Sequence, residues 1–380
     1  MTPDNNGYVP GLEGVIAAQT RNSRVDGLAG QLTIGGFALE EIAPRASFEE
    51  MTFLLWNDRL PTADELAAFS QELAALRELP PATLQLIEDI AAKDLDYMDA
   101  LRIAVGTLGL QAPKIDPDPW LAKRLVATFP SIVAAAWRLS QGEAVVAPDP
   151  KLGHAANYLY MLEGQAPSEA RARGLETYLN TVIDHGLNAS TFTARVIVST
   201  ASDFVSAIVG AVGALKGPLH GGAPGPALDM VFEIGEADKA EAVLRSKLDA
   251  GERLMGFGHR VYKVRDPRAE VLSGAARALY EADGDMELYN LVQQVEKTAV
   301  ALLEEYKPGR NLQTNVEFYT ALLLHGLDLQ IALFSPTFAV GRVSGWLAHC
   351  IEQRADGRLI RPKAQYVGDN GRQWKALAER

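Results

Sequence analysis

Ser47-Phe-Glu-Glu-Met-Thr-Phe-Leu-Leu-Trp-Asn57 decides the fold class. The Ser47 oxygen can accept a backbone N–H of the first helical turn while Glu50 reaches back, the reciprocal arrangement of a capping box. Phe53, Leu54 and Trp56 follow in a helix that ends near Asn57. Thr62-Ala-Asp-Glu65 repeats the signal after Pro61, and Leu66, Phe69, Leu73 and Leu76 recur at helical spacing. Outward from this region the same periodicity predicts helices over 120–139 (kinked at Pro130), 152–162, 170–182, 189–200, 202–215, 238–250, 269–280, 288–306, 316–324 and 338–353. Pro113, Pro117 and Pro119 are read as a loop, because proline lacks an N–H and fixes φ, and 145–150 as a second. Only residues 24–43, broken by Gly27, Gly30, Gly35 and Gly36, resemble strand, as a small hairpin. The expectation is an all-α protein with minor β at the two ends. Ala-rich stretches such as 132–136 suit close helix packing in a layered globule.

The 380 residues hold 36 Lys+Arg against 48 Asp+Glu, a net charge of −12, and 48% of them are hydrophobic. That length suits two or three domains, or one large unit with a subdomain. Segments 217–226 and 308–314 are the best hinges for an inner subdomain. The acidic balance argues against nucleic-acid binding, which needs a basic face. A single cysteine, Cys350, excludes an intramolecular disulfide and a paired-thiolate zinc site, and fits a reducing compartment such as the cytoplasm. Met1–Tyr8 lacks the pattern of a signal peptide, and the longest apolar run, 204–215, is too short for a membrane span. The chain is expected to be soluble and cytoplasmic, with no membrane partner.

Three of the six histidines sit in unusual local settings with glycine beside them: Asp184-His-Gly186, Leu219-His-Gly221 and Gly258-His-Arg260. A neighbouring glycine lets an imidazole approach a ligand closely. A turn at a helix terminus would depress its pKa, so that a neutral ring could donate to a developing oxyanion. Each alone also reads as an ordinary loop histidine; His154, His325 and His349, on apolar helical stretches, read as structural. Nothing resembles His-Glu-x-x-His or a Gly-rich phosphate loop, so no metal is expected. Arg268 follows Asp266-Pro267, Arg342 interrupts an apolar run, and Arg361 precedes Pro362. Arg361 reads as a solvated side chain on these grounds. Several embedded arginines would clamp a small di- or tricarboxylate through planar forks. Glu317, in Asn315-Val-Glu-Phe-Tyr319, reads either as a first-turn acid or as a carboxylate made basic by dry surroundings.

Together these segments resemble the active-site signatures of the citrate synthase family. They are Lys216-Gly-Pro-Leu-His-Gly-Gly222, Gly256-Phe-Gly-His-Arg-Val-Tyr-Lys-Val-Arg-Asp-Pro-Arg268, Asn315-Val-Glu-Phe-Tyr319, the run from Phe334 to His349, and Arg361-Pro-Lys363. The likeness begins at Gly11-Leu-Glu-Gly14 and keeps the family's order along nearly the whole chain. The compact length is similar to the short bacterial and archaeal branch, which also contains 2-methylcitrate synthases.

The resemblance implies an all-α homodimer. Residues 1–219 and 326–380 would form a large domain, and 220–325 a smaller helical domain that closes over substrate. It implies an acyltransferase of the tricarboxylic acid cycle that condenses acetyl-CoA with oxaloacetate, with no metal or other cofactor. His220, His259 and Glu317 would be catalytic. His185, His259, Arg268, Arg342 and, from the other subunit, Arg361 would hold oxaloacetate; Lys263 and Arg265 would face coenzyme A phosphates. The alternatives are a 2-methylcitrate synthase using propionyl-CoA, or a catalytically silent paralogue that binds carboxylates or coenzyme A. The chain departs from the family pattern at three places. Glu317 stands where the family has aspartate, a displacement of about 1 Å that can cost about a hundredfold without compensation. Ala223-Pro-Gly-Pro226 replaces the usual Ala-Asn-Glu continuation, and Asp96-Tyr-Met-Asp99 stands where His-Pro-Met is common.

Overall fold

A computed structural model describes residues 7–93, 95–115, 117–221, 225–259 and 261–380. Helices dominate. Ser47 caps Phe48–Asn57 by accepting from the Glu50 N–H at 3.1 Å. The full reciprocal box forms at Thr62 and Glu65 instead. Beside Ser47, the N–H of Phe48 is taken by the Glu176 carboxylate at 3.2 Å. The proline-marked loop is a correction: Pro117 and Pro119 lie in the first turn of the Pro117–Ser140 helix, which runs on through Pro130. A first turn has no intrahelical acceptor to lose, so proline is tolerated there. The helices Pro81–Ala91, Tyr97–Val105 and Gly225–Ile234 go beyond the periodicity reading. Asp96, at the family departure, caps the second of them by accepting from the Met98 N–H.

Among the described residues, strands occur only at the N-terminal end, where β1 (Ser23–Asp26), β2 (Gln31–Ile34) and β3 (Phe37–Ala38) form an antiparallel sheet in the order β1-β2-β3. Beyond Asp356 the chain is irregular and largely exposed up to a short 3-10 turn at Leu377–Glu379, so the minor β expected at the C-terminal end is absent from the described residues. Among the described residues, no neighbouring strand offers that segment a ladder.

The Phe334–Asp356 helix is the axis of the fold, with Arg342, Trp346 and His349 all buried along it. Its glycines allow close approach to Glu169–Val182 and the chain just beyond. A Cβ on Gly345 would lie 2.0 Å from the Ile183 carbonyl oxygen, and one on Gly341 3.0 Å from that of Leu179. That contact sets Arg342 beside the loop that carries His185. Among the described residues, no single helix is long and apolar enough to cross a membrane.

Candidate active site

The three histidines singled out as site candidates sit in loops. His185 lies between Glu169–Val182 and Ala189–Val198, His220 in the turn after Phe204–Leu215, and His259 ahead of Pro267–Asp283. Helix-terminal dipoles are therefore not what keeps the rings neutral. Burial is the largest cause for all three, followed by Arg268 for His185 and His259 and by Arg342 for His220. His185 is held well below its ordinary value and His259 is pushed down to about 4.

Local backbone fixes the His259 tautomer. Its Nδ1 accepts from the N–H groups of Val261 and Tyr262, both at 3.1 Å, so the proton of the neutral ring is on Nε2. That Nε2 faces Nη2 of Arg268 at 3.4 Å. Two donors turned toward each other are both satisfied when an acceptor oxygen lies between them. Arg268 is buried, and Asp266 holds its Nε at 3.0 Å and its Nη2 at 2.8 Å. Asp266 also caps the Pro267–Asp283 helix. The His185 and His259 rings stand edge to face with centroids 6.0 Å apart.

Arg342 is only 2% exposed. Its Nε donates to the Val182 carbonyl, and its guanidinium lies over the Phe338 ring at 4.7 Å. Burial pushes its pKa down to about 10, which leaves it charged at neutral pH. No carboxylate lies within ion-pair distance of it among the described residues. A buried cation without an anion is costly, and an anionic ligand relieves that cost.

His220 is set by Ser190, whose Oγ lies 2.8 Å from its Nε2. Ser190 is fixed in turn by Trp346 Nε1 at 3.1 Å and Asn188 Oδ1 at 2.8 Å. Glu317 is in the first turn of Val316–Gly326, with its N–H bonded to the Asn315 side chain. Burial raises its pKa against a smaller opposing pull from Arg268, so the carboxylate is more basic than an ordinary glutamate.

His185, His220, His259, Arg268, Glu317 and Arg342 all line one cavity of about 820 Å³, with apolar walls that include Phe192, Phe334 and Phe338. The remaining sequence candidates lie outside it. Lys263 is exposed, its N–H bonded to the Gly27 carbonyl. Arg265 pairs with Glu270 at 2.8 Å and Glu296 at 3.0 Å. Arg361 is exposed in the irregular C-terminal segment. Of the continuation Ala223-Pro-Gly-Pro226, Ala223 and Pro224 fall outside the described residues, and Gly225 opens a helix. No group of three or more His, Cys, Asp or Glu that could hold a metal occurs among the described residues.

The histidines read as structural stay away from the cavity wall. His154 stacks on Phe48 at 4.6 Å and His325 meets Phe232 edge-on. His349 bonds buried Asp184 at 3.2 Å, directly behind His185. Sequence reading missed Ser190, Asp266 and Asn315 as supports. Asp266-Pro267 and Asn315 did carry a signal, a capping residue ahead of a helix; Ser190 carried none, since its partner is thirty residues away.

An all-helical protein that gathers neutral imidazoles, buried guanidiniums and a basic carboxylate on one cavity is equipped for carbonyl chemistry on a small carboxylic acid. The sequence model described as "Citrate synthase, C-terminal domain" matches residues 11–363. The chain belongs to the citrate synthase family. It is 42% identical over 379 residues to a citrate synthase of Haloferax volcanii, covering 97% of this chain and 98% of that one. It is 37% identical over 375 residues to a 2-methylcitrate synthase of Shewanella oneidensis, covering 97% of each. Its fold is similar to that of citrate synthase from Thermoplasma acidophilum, solved as a ternary complex with carboxymethyl coenzyme A and oxaloacetate. There the TM-score is 0.87 at 30% identity, covering 98% of this chain and 99% of that one.

Proposed function

We propose that the chain is a citrate synthase, which condenses acetyl-CoA with oxaloacetate and hydrolyses the resulting citryl-CoA to citrate and coenzyme A. The observation that carries this reading is the convergence of Glu317, His220 and His259 with two buried arginines on one cavity. Acetyl-CoA's methyl group is a weak carbon acid, so its proton leaves only as the enolate is stabilised. Glu317 takes that proton, and His220, its Nε2 held by Ser190, presents its other ring nitrogen to the thioester oxygen. The enol carbon bonds to the ketone carbon of oxaloacetate. His259 polarises the ketone through Nε2–H and gives that proton to the new alkoxide. Water then cleaves the thioester and coenzyme A leaves as the thiol. These steps call on side chains alone, with no metal or redox cofactor.

Arg268, Arg342 and His185 hold the carboxylates of oxaloacetate, and Arg361 completes the clamp from the second subunit of a homodimer. Its exposure within one subunit fits that role. Lys263 and Arg265 face the phosphates of coenzyme A, Arg265 by exchanging its Glu270 contact. Residues 220–325 act as a small domain that closes on the large one, 1–219 with 326–380, and shuts out the water that would quench the enolate. The reaction belongs to the tricarboxylic acid cycle, in the cytoplasm.

Release of coenzyme A thiol from acetyl-CoA and from propionyl-CoA, each with and without oxaloacetate, tests this. The expected result is oxaloacetate-dependent release that is faster with acetyl-CoA. No release from either donor overturns the reading in favour of a silent binder, and a strong propionyl preference replaces citrate with 2-methylcitrate as the product. One methylene is worth only about 1–3 kcal/mol, so some activity with both donors is expected.

A further inference from the structure

Tyr262 touches both of the histidines that meet on the oxaloacetate side of the cavity, and it does so from behind. It is 3% exposed and is not among the cavity-lining residues, although its neighbours His259 and Val261 are. Its backbone N–H donates to His259 Nδ1 at 3.1 Å, while its phenol oxygen lies 3.0 Å from His185 Nε2. Its ring centroid is 5.0 Å from that of His259 and 5.6 Å from that of His185, and the Arg268 guanidinium stands 5.8 Å from it. Among the described residues, no other side chain hydrogen-bonds the His185 ring.

The tyrosine is itself anchored. The Lys263 N–H donates to the Gly27 carbonyl at 2.8 Å. Gly27 comes so near that a Cβ there would lie 2.3 Å from the Val261 carbonyl oxygen. The β1–β2 turn thus grips the residues on both sides of Tyr262. A side chain present only to fill the core needs no hydroxyl, and burying one is unfavourable unless it is bonded. Here the bond goes to a ring that faces the ligand cavity.

We propose that Tyr262 is a positioning residue for oxaloacetate, whose hydroxyl locks the His185 ring while its backbone N–H, together with that of Val261, holds that of His259, so that this residue links the two imidazoles. Whichever partner donates, the bond removes the rotational freedom of the His185 ring. The inference deepens the proposed function and rests on its assignment of His185 and His259 to oxaloacetate.

Tyr262→Phe tests it, because this change removes one oxygen and keeps the ring that packs against Arg268. In the full-length protein the expected result is a rise of about tenfold in the oxaloacetate KM, the loss of about one hydrogen bond. Calorimetric binding of oxaloacetate should weaken by the same factor, with the acetyl-CoA KM and melting temperature unchanged. Wild-type oxaloacetate binding in Tyr262→Phe overturns the proposal, as does equal loss for both substrates together with a lowered melting temperature. His185→Gln, measured alongside, separates the two levels of inference. Weakened oxaloacetate binding there with Tyr262→Phe unaffected leaves the site standing and removes only the role of Tyr262. Unchanged binding in His185→Gln removes the site assignment itself, and this inference with it.

Discussion

Asn315 donates from Nδ2 to the Gly258 carbonyl at 2.9 Å, and so joins the start of the helix that bears Glu317 to the loop that bears His259. Its Oδ1 simultaneously accepts the Glu317 N–H at 2.9 Å, and its own N–H bonds the Gly256 carbonyl at 2.9 Å. In the proposed reaction Glu317 must act on one substrate while His259 acts on the other. Asn315 keeps the two groups in register.

Asn315→Ala should therefore affect more than an ordinary cap. Loss of a capping side chain costs about 1 kcal/mol of stability. Loss of register between acid and imidazole adds a fall in kcat of about a hundredfold, the scale associated with a 1 Å misplacement. Thermal melting and steady-state kinetics on the same preparation separate the two effects. A stability loss without a kcat loss would show that Asn315 is only a cap.

Glu317→Gln should lower kcat by about a thousandfold and leave calorimetric oxaloacetate binding nearly intact, since proton transfer contributes about 10²–10⁴-fold. Its effect on stability has the opposite sign. Burial raises the folded-state pKa of Glu317 above its unfolded value, so its contribution to stability is fully present below the unfolded pKa and is lost as pH rises through the folded one. Glutamine removes the buried charge. The variant should thus melt higher than wild type at pH 8, and the difference should shrink toward zero near pH 4. A variant less stable than wild type at pH 8 would contradict the burial argument. For the same reason the acid limb of wild-type kcat should lie above the usual glutamate range.

Local settings single out His185, His220, His259, Arg268, Glu317 and Arg342 as candidates: an imidazole beside glycine in a loop-like stretch, an arginine after Asp-Pro or within an apolar run, a carboxylate at a helix start. Their convergence on one cavity was legible only through the family resemblance. What makes those groups work was less legible. Ser190 meets His220, and Tyr262 meets His185, across separations that no local periodicity encodes. The sequence reading looked to helix termini as the source of low imidazole pKa values, whereas burial and two arginines supply it. Pro117 and Pro119 read as helix breakers because a pattern does not reveal which turn of a helix a proline will occupy.

Arg342 should be sensitive even to a conservative change. Its fork is spread between the Val182 carbonyl, the Phe338 face and the cavity, and lysine offers neither the second donor direction nor the flat face. Arg342→Lys is expected to raise the oxaloacetate KM by about a hundredfold with little change in the acetyl-CoA KM. Arg342→Met, which removes a buried charge, should not lower the melting temperature. Oxaloacetate binding that survives Arg342→Met would remove Arg342 from the carboxylate clamp.

The position of Arg361 calls for a test that distinguishes a contribution within a subunit from one across an interface. If each site of a two-fold dimer takes Glu317 from one chain and Arg361 from the other, Arg361→Ala and Glu317→Gln homodimers are both impaired. In a hybrid dimer, both defects fall on the same site. The other site then has Glu317 of the Arg361→Ala chain and Arg361 of the Glu317→Gln chain, and is of wild-type composition. Dissociating and reassociating an equal mixture makes about half the dimers hybrid, each with one working site, so activity should recover to about a quarter of wild type. An arginine acting within its own subunit puts one defect in each site and gives no recovery. Size-exclusion chromatography on the same mixture verifies that dimers have re-formed, so that absence of recovery counts against the shared site rather than against assembly.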